Sequence, residues 1–74
     1  MNFYDILKEV EQKKAYNPYA GKVDGEWVEG QIDIDFLNNN FGEYETATEM
    51  KENTDSEGLI MFFDYLVEKG KLPK

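Results

Sequence analysis

From Glu26 to Phe36 the chain alternates between residue types, with Glu26 as the one exception, and this pattern constrains the fold more than any other feature of the chain. The polar members, with one tryptophan, stand at odd positions: Trp27, Glu29, Gln31, Asp33 and Asp35. The apolar members, with one glycine, stand at even positions: Val28, Gly30, Ile32, Ile34 and Phe36. Because successive side chains of a β-strand point to opposite faces, the pattern predicts a strand with one buried and one exposed face.

Turn signals on both sides predict that this strand is the middle one of three. Asp24-Gly25 is a two-residue hairpin signal that follows a short predicted strand near Tyr19 to Val23. On the other side, Asn38 to Gly42 supplies residues that tolerate left-handed backbone, which predicts a second hairpin loop. The segment from Glu43 to Met50 then repeats the alternation, with its carboxylates on the outer face.

Helical spacing is found at both ends of the chain. Asn2 is a predicted N-cap for a first helix that runs to about Lys14 and is ended by Pro18 and Gly21. Thr54-x-x-Glu57 predicts the start of a last helix, ended by Gly70, whose apolar stripe is Leu59, Phe62, Phe63 and Leu66. The sequence therefore predicts a single α+β domain over residues 1–74: an N-terminal helix, a three-stranded antiparallel sheet, and a C-terminal helix packed on one sheet face.

Composition argues against several classes of function. The chain has 74 residues with no cysteine and no histidine, so thiolate sites, histidine ligands and nucleophile–histidine pairs are excluded. A chain of this size builds one small core, which leaves little room for a catalytic cleft. We expect a protein that is not an enzyme, has no cofactor and no metal, and contains neither a signal peptide nor a membrane span. A cytoplasmic location, in a bacterial host, is the expectation.

Negative charge is concentrated in one part of the chain. The net charge is −8, and the stretch from Asp24 to Glu57 holds eleven carboxylates and one lysine. A one-signed field of this kind repels nucleic acid and anionic membranes and favours basic protein surfaces. On the predicted sheet, two neighbouring strands would carry an array of carboxylates on one open face: Glu29, Asp33, Asp35, Glu43, Glu45 and Glu49.

Two interpretations of that array stay open. Carboxylates two residues apart on a β-strand are about 6.6–6.8 Å apart along it, which is close to two phosphate steps of about 3.4 Å along one strand of DNA. Trp27 on the same face would supply an aromatic anchor. This predicts a DNA mimic that blocks the basic groove of a nucleic-acid-binding protein. Alternatively, the acids only keep the protein soluble, and a generic interaction module binds its partner through the Tyr16–Tyr19 loop and Trp27.

Short motifs along the chain resemble a known family. They are Met1-Asn2-x-x-Asp5-Ile6-Leu7-x-Glu9-Val10, Ile32-x-Ile34, Asn40-x-Gly42-Glu43-Tyr44 and Leu59-Ile60-x-x-Phe63. In this order they resemble the compact Listeria-prophage class of Cas9-inhibiting anti-CRISPR proteins. The resemblance implies a small acidic helix–sheet–helix protein that imitates DNA at the site where a Cas9-type nuclease reads its target.

The same resemblance implies a contact role for Asn40, Glu43 and Glu45. This chain is shorter than members of that family and ends in lysines rather than in a further acidic segment. A phage inhibitor of another nucleic-acid enzyme fits the sequence equally well.

Overall fold

Helices dominate the part of the chain that the structure describes. The structure is a computed structural model, and it describes residues 1–8, 11, 13–18 and 30–74. Within these ranges it contains four helices and one two-stranded antiparallel sheet. In chain order the elements are α1 (Phe3–Leu7), β1 (Lys14–Tyr16), β2 (Gln31–Asp33), α2 (Ile34–Phe41), α3 (Ala47–Glu52) and α4 (Glu57–Glu68).

The sheet is short, and one pair of facing residues in it is buried in the core. The facing residues are Lys14 with Asp33, Ala15 with Ile32, and Tyr16 with Gln31. Ala15 and Ile32 are both buried and join the core. Gly30 precedes β2 with φ +73, and a Cβ there would lie 3.2 Å from the carbonyl oxygen of Asn17. Glycine therefore suits this position both for its backbone angle and for the close approach of β1.

Helix α2 begins directly at the end of β2. The Asp33 side chain is the N-cap, since its Oδ1 accepts a hydrogen bond of 2.9 Å from the main-chain N–H of Asp35. Ile34, Leu37 and Phe41 lie on the buried side of this helix. Their spacing of three and four residues is that of one helical face. The burial of this face holds α2 in the core.

Two polar contacts join α1 to α2. The Asn38 Oδ1 accepts a 2.7 Å hydrogen bond from the main-chain N–H of Phe3, and the amino group of Met1 donates to the carbonyl oxygen of Gly42. The first of these satisfies one of the N–H groups that α1 leaves without an intrahelical partner. Asn38 therefore has a structural role in the middle of α2.

Helices α3 and α4 each have a side-chain N-cap. Thr46 accepts from the N–H of Glu49 at the start of α3, and Ser56 accepts from the N–H of Leu59 at the start of α4. The two helices pack against each other. Ala47 and Met50 are buried on α3. Helix α4 is buried along an apolar stripe that includes Leu59, Phe62, Phe63 and Leu66.

Aromatic side chains form the centre of the core. Phe63 is fully buried, and its ring lies 5.1 Å from Phe41, 6.0 Å from Phe62 and 6.5 Å from Phe3, measured between ring centroids. These distances fall in the range of favourable aromatic pairs. Since Phe3 belongs to α1 and Phe41 to α2, one side chain of α4 contacts two other helices.

The predicted three-stranded sheet is wrong. Within the described part of the predicted middle strand, only Gln31–Asp33 forms a strand. Helix α2 begins at the next residue, Ile34. Asn38 to Gly42, predicted as a hairpin loop, is the last part of α2 and its C-cap, and the second half of the predicted third strand, Ala47 to Met50, is the start of α3. The predicted strand at Tyr19 to Val23 and the hairpin at Asp24-Gly25 lie outside the described residues.

The two predicted terminal helices have different outcomes. The N-cap at Asn2 is confirmed, but α1 ends after one turn because Lys8 adopts left-handed backbone with φ 58, and Lys14 belongs to β1. The last helix is confirmed, although it starts at Glu57 behind an N-cap at Ser56 rather than at Thr54. Gly70 ends it with φ +73, as predicted.

Candidate functional site

The predicted interface residues are distributed over two ends of α2 and the start of α3. Trp27 and Glu29 lie outside the described residues. Asp33 and Asp35 stand at the start of α2, and Asn40 lies in its last turn. Glu43 and Glu45 lie in the connection between α2 and α3, and Glu49 lies in the first turn of α3.

Glu43, Glu45 and Glu49 form one group, which we call the acidic turn. All three side chains are exposed. The Thr46 hydroxyl oxygen, as the N-cap, accepts a 3.2 Å hydrogen bond from the main-chain N–H of Glu49, and the Thr46 hydroxyl donates at 3.2 Å to Oε1 of Glu49. The position of Glu49 is therefore fixed by the start of α3.

Asp33 and Asp35 form a second group with different neighbours. Asp33 caps α2, and Asp35 accepts a 2.7 Å hydrogen bond from the hydroxyl of Tyr4 on α1. Asp33 also stands opposite Lys14 in the sheet register. Both carboxylates are thus engaged in holding α2 in place.

The two groups do not form the predicted array of two strand rows. Gly42 lies seven positions after Asp35 along α2 and its cap, which is a rise of about 10 Å at about 1.5 Å per residue. Asn40, implied as a contact residue, donates from its Nδ2 to the carbonyl oxygen of Phe36 at 2.9 Å, within its own helix. Glu43, Glu45 and Glu49 thus follow the end of α2, whereas Asp33 and Asp35 stand at its start.

The lysine in the acidic stretch is already paired. From residue 30 to residue 57 the sequence has eight carboxylates and one lysine, Lys51. The Lys51 Nζ lies 2.6 Å from Oδ1 of Asp64 on α4. This ion pair is partly exposed, so it contributes little to the free energy of unfolding. Its main effect is that Lys51 does not neutralise the acidic turn.

The environment of Tyr4 changes its titration. The Tyr4 hydroxyl donates to the Asp35 carboxylate, and this hydrogen bond, followed by burial and by the charges of Asp35 and Asp33, raises the pKa of Tyr4 above its ordinary value of 10.0. The raised pKa means that the contribution of this contact to stability is complete below about pH 10 and is lost as the pH rises through the folded-state pKa.

We expect Asp35→Asn to lower the pKa of Tyr4 toward its ordinary value, because the substitution removes the charge that stabilises the protonated phenol. The measurement is an NMR titration of the Tyr4 ring between pH 8 and pH 12. Glu43→Gln is the control, since Glu43 lies beyond the far end of α2. An unchanged Tyr4 pKa in Asp35→Asn would contradict the contact.

An exposed tyrosine supports the other interpretation. Tyr16 on β1 is 64% exposed, so its ring is accessible to a partner. Its ring lies beside Gly30, where an added Cβ would be 3.5 Å from the ring. Tyr19 and Trp27, the other predicted members of that surface, lie outside the described residues.

Other kinds of site receive little support from the described ranges. A surface cavity of about 260 Å³ between α3 and α4 is lined by Ala47, Thr48, Lys51, Asp64, Val67 and Lys74. It is smaller than the roughly 300–1,000 Å³ of ligand pockets, and Asp64 already neutralises Lys51 there. Residues 1–8, 11, 13–18 and 30–74 bring together no metal-binding group of three or more acidic, cysteine or histidine side chains. None of their helices has the length and hydrophobicity to cross a membrane.

Sequence reasoning missed three features of this region. The Tyr4–Asp35 and Lys51–Asp64 contacts join residues 31 and 13 positions apart and have no local signal. The N-cap at Thr46 did have a local signal, the spacing Thr46-x-x-Glu49, but the alternation of threonine and glutamate around it favoured a strand.

No protein-family model, curated protein or solved structure matches the chain. The resemblance to anti-CRISPR proteins thus rests on the short motifs. The three-stranded sheet expected here is not what the described residues form.

Proposed function

We propose that this protein is a small acidic inhibitor, without catalytic activity, that binds the basic groove of a nucleic-acid-binding protein. It imitates the charge of nucleic acid and blocks access to the groove, and it binds neither nucleic acid nor membrane itself. The resemblance in short motifs makes a Cas9-type CRISPR nuclease the first candidate target. On this proposal it is a phage protein that acts in the cytoplasm of a bacterial host.

The observation that carries the proposal is the exposure of the acidic turn. Glu43, Glu45 and Glu49 all face solvent, and the sequence places no free lysine among them because Lys51 is paired with Asp64. Like charges held close together are unfavourable for the isolated protein. A basic partner would relieve that repulsion, and the partner would gain in turn because the inhibitor replaces its phosphate contacts.

The proposed mechanism relies on charge for recognition more than for affinity. An exposed carboxylate paired with a lysine contributes about 0.2–1 kcal/mol, so a few such pairs cannot produce tight binding alone. Complementary fields instead raise the association rate and exclude wrong partners. An aromatic anchor would supply the remaining affinity, and Trp27 is the residue that the sequence predicts for this role.

A second candidate function is supported by Tyr16. Its 64% exposure on β1 fits a generic interaction or regulatory module whose contact surface is the Tyr16–Tyr19 loop together with Trp27. In this alternative the acidic residues serve only to keep the protein soluble. The two candidates differ in which side chains touch the partner, so substitution distinguishes them.

Competition with nucleic acid tests the proposal. The full chain is immobilised, proteins from a bacterial lysate are captured, and bound material is released with a salt gradient. We expect a nucleic-acid-binding protein to elute at moderate salt, because charge pairs are screened. The purified partner is then titrated with its cognate nucleic acid. A stable ternary complex in which the partner keeps its full affinity for nucleic acid would refute groove blocking. If the partner stayed bound at high salt and Tyr16→Ala abolished its capture, the interaction module would be favoured.

A further inference from the structure

The chain reverses direction after α4 and returns toward α3. The N–H of Lys71 donates to the carbonyl oxygen of Leu66 at 2.8 Å, and the N–H of Gly70 donates to that of Val67 at 3.0 Å. This pair of bonds is a Schellman motif, and it requires left-handed backbone at Gly70, where φ is +73. Gly70 thus directs the residues that follow it back across the molecule.

The returning segment is anchored by one side chain and two main-chain oxygens. Leu72 is only 4% exposed and belongs to the core. The main-chain oxygen of Pro73 accepts from the N–H of Ala47 at 2.8 Å, and that of Lys74 accepts from the N–H of Thr48 at 3.0 Å. These are the first two N–H groups of α3, which have no acceptor within the helix.

Helix α3 depends on these contacts. It has six residues, and an isolated helix shorter than about 12–15 residues is marginal in water. Its main packing partner is α4, to which the Lys51–Asp64 ion pair also joins it, and its buried side chains are Ala47 and Met50. Helix α2, by contrast, packs mainly on α1 and β2. The packing of α3 is thus mainly with α4 rather than with α1, α2 and the sheet.

We infer that residues 70–74 form a conformational latch that holds α3 against α4, so that release of the latch frees α3 without unfolding the rest of the protein. Closing the latch places Leu72 in the core and supplies acceptors to Ala47 and Thr48 in one step. Because Glu49 lies on α3, the latch also sets the shape of the acidic turn. This last consequence for partner binding rests on the proposed function, whereas the latch itself does not.

A pair of substitutions at Gly70 tests the latch in the full chain. Nothing lies within 4 Å of a Cβ added at Gly70, so a substitution there changes only the cost of the left-handed backbone. Gly70→Val makes that backbone unfavourable, and Gly70→Asn is the matched control because asparagine tolerates it. Native-state hydrogen exchange, measured by NMR, reports on the N–H groups of Ala47 and Thr48, with the N–H of Ile34 in the sheet pairing as the reference.

We expect Gly70→Val to lower the protection of the Ala47 and Thr48 amides at least tenfold while the Ile34 amide changes less than threefold. Gly70→Asn should leave all three within threefold of wild type. Leu72→Ala, which removes the anchor, should reproduce the pattern of Gly70→Val and serves as a second variant if that protein does not fold. Equal loss at all three amides in both variants, or no loss at Ala47 and Thr48, would overturn the latch. Neither result depends on any partner.

Discussion

Phe63→Ala is expected to bring the protein close to its unfolding threshold. Replacing a buried phenylalanine by alanine costs about 3–5 kcal/mol, because it removes buried surface and leaves a cavity. A domain of 74 residues has a total free energy of unfolding of about 4–11 kcal/mol at 0.05–0.15 kcal/mol per residue. The loss is thus a large part of the total. Phe63 is the position to test because its ring contacts those of Phe3, Phe41 and Phe62.

Urea unfolding followed by circular dichroism measures this change. Met61→Ala is the matched control, since Met61 lies on the same helix and is 39% exposed. A substitution at such an exposed position usually changes the free energy of unfolding by about 0.5 kcal/mol or less. If Phe63→Ala shifted the midpoint no more than Met61→Ala, the aromatic centre of the core would be in a different place.

The error in the predicted sheet has a clear physical origin. Ile32 and Ile34 are both buried, as the alternation predicts, but Ile34 is buried as the first residue of a helix. Over such a short stretch, a strand and the start of a helix can bury the same residues. The two structures predict different buried residues only further along the chain. The spacing of Ile34, Leu37 and Phe41 is helical. Leu37 is fully buried, and a longer window would have assigned it to the core.

Tertiary contacts explain why asparagine-rich sequence forms the end of α2. Asparagine is a poor helix former because its side chain competes for main-chain groups. Here the Asn38 side-chain oxygen accepts from the N–H of Phe3 at the start of α1, and the Asn40 side chain donates to the carbonyl oxygen of Phe36 in its own helix. A local rule that reads three asparagines as a loop has no access to the α1 contact, so this part of the fold could not be predicted from local sequence.

Termini with strong local signals were predictable. Asn2 caps α1 and Gly70 ends α4, because a capping oxygen and a left-handed glycine act within one turn of the helix. The same division applies to the candidate site. The excess of carboxylates is a property of the sequence, whereas their separation into an acidic turn and a pair at the start of α2 depends on where the helices lie.

The triple variant Glu43→Gln, Glu45→Gln, Glu49→Gln is expected to weaken partner binding. Glutamine at position 49 keeps a side-chain oxygen that can accept from the Thr46 hydroxyl, and the main-chain N–H of residue 49 still donates to the Thr46 N-cap. The fold should therefore remain. If each exposed charge pair contributes about 0.2–1 kcal/mol, the affinity should fall by about 3- to 150-fold. The salt dependence of the affinity should also become weaker, since fewer charges are paired.

The control is a second triple variant that has the same net charge as the first but carries its substitutions outside the acidic turn. Asp5→Asn, Glu11→Gln and Glu68→Gln also remove three negative charges, so both triple variants change the net charge from −8 to −5. All three control side chains are exposed. Association and dissociation rates of both variants are measured at several salt concentrations against the captured partner. A loss confined to the acidic-turn variant, mainly in the association rate, would assign recognition to this surface. Equal losses in the two triple variants would show that only the overall charge matters. If Tyr16→Ala removed binding and neither triple variant did, the contact surface would lie on β1.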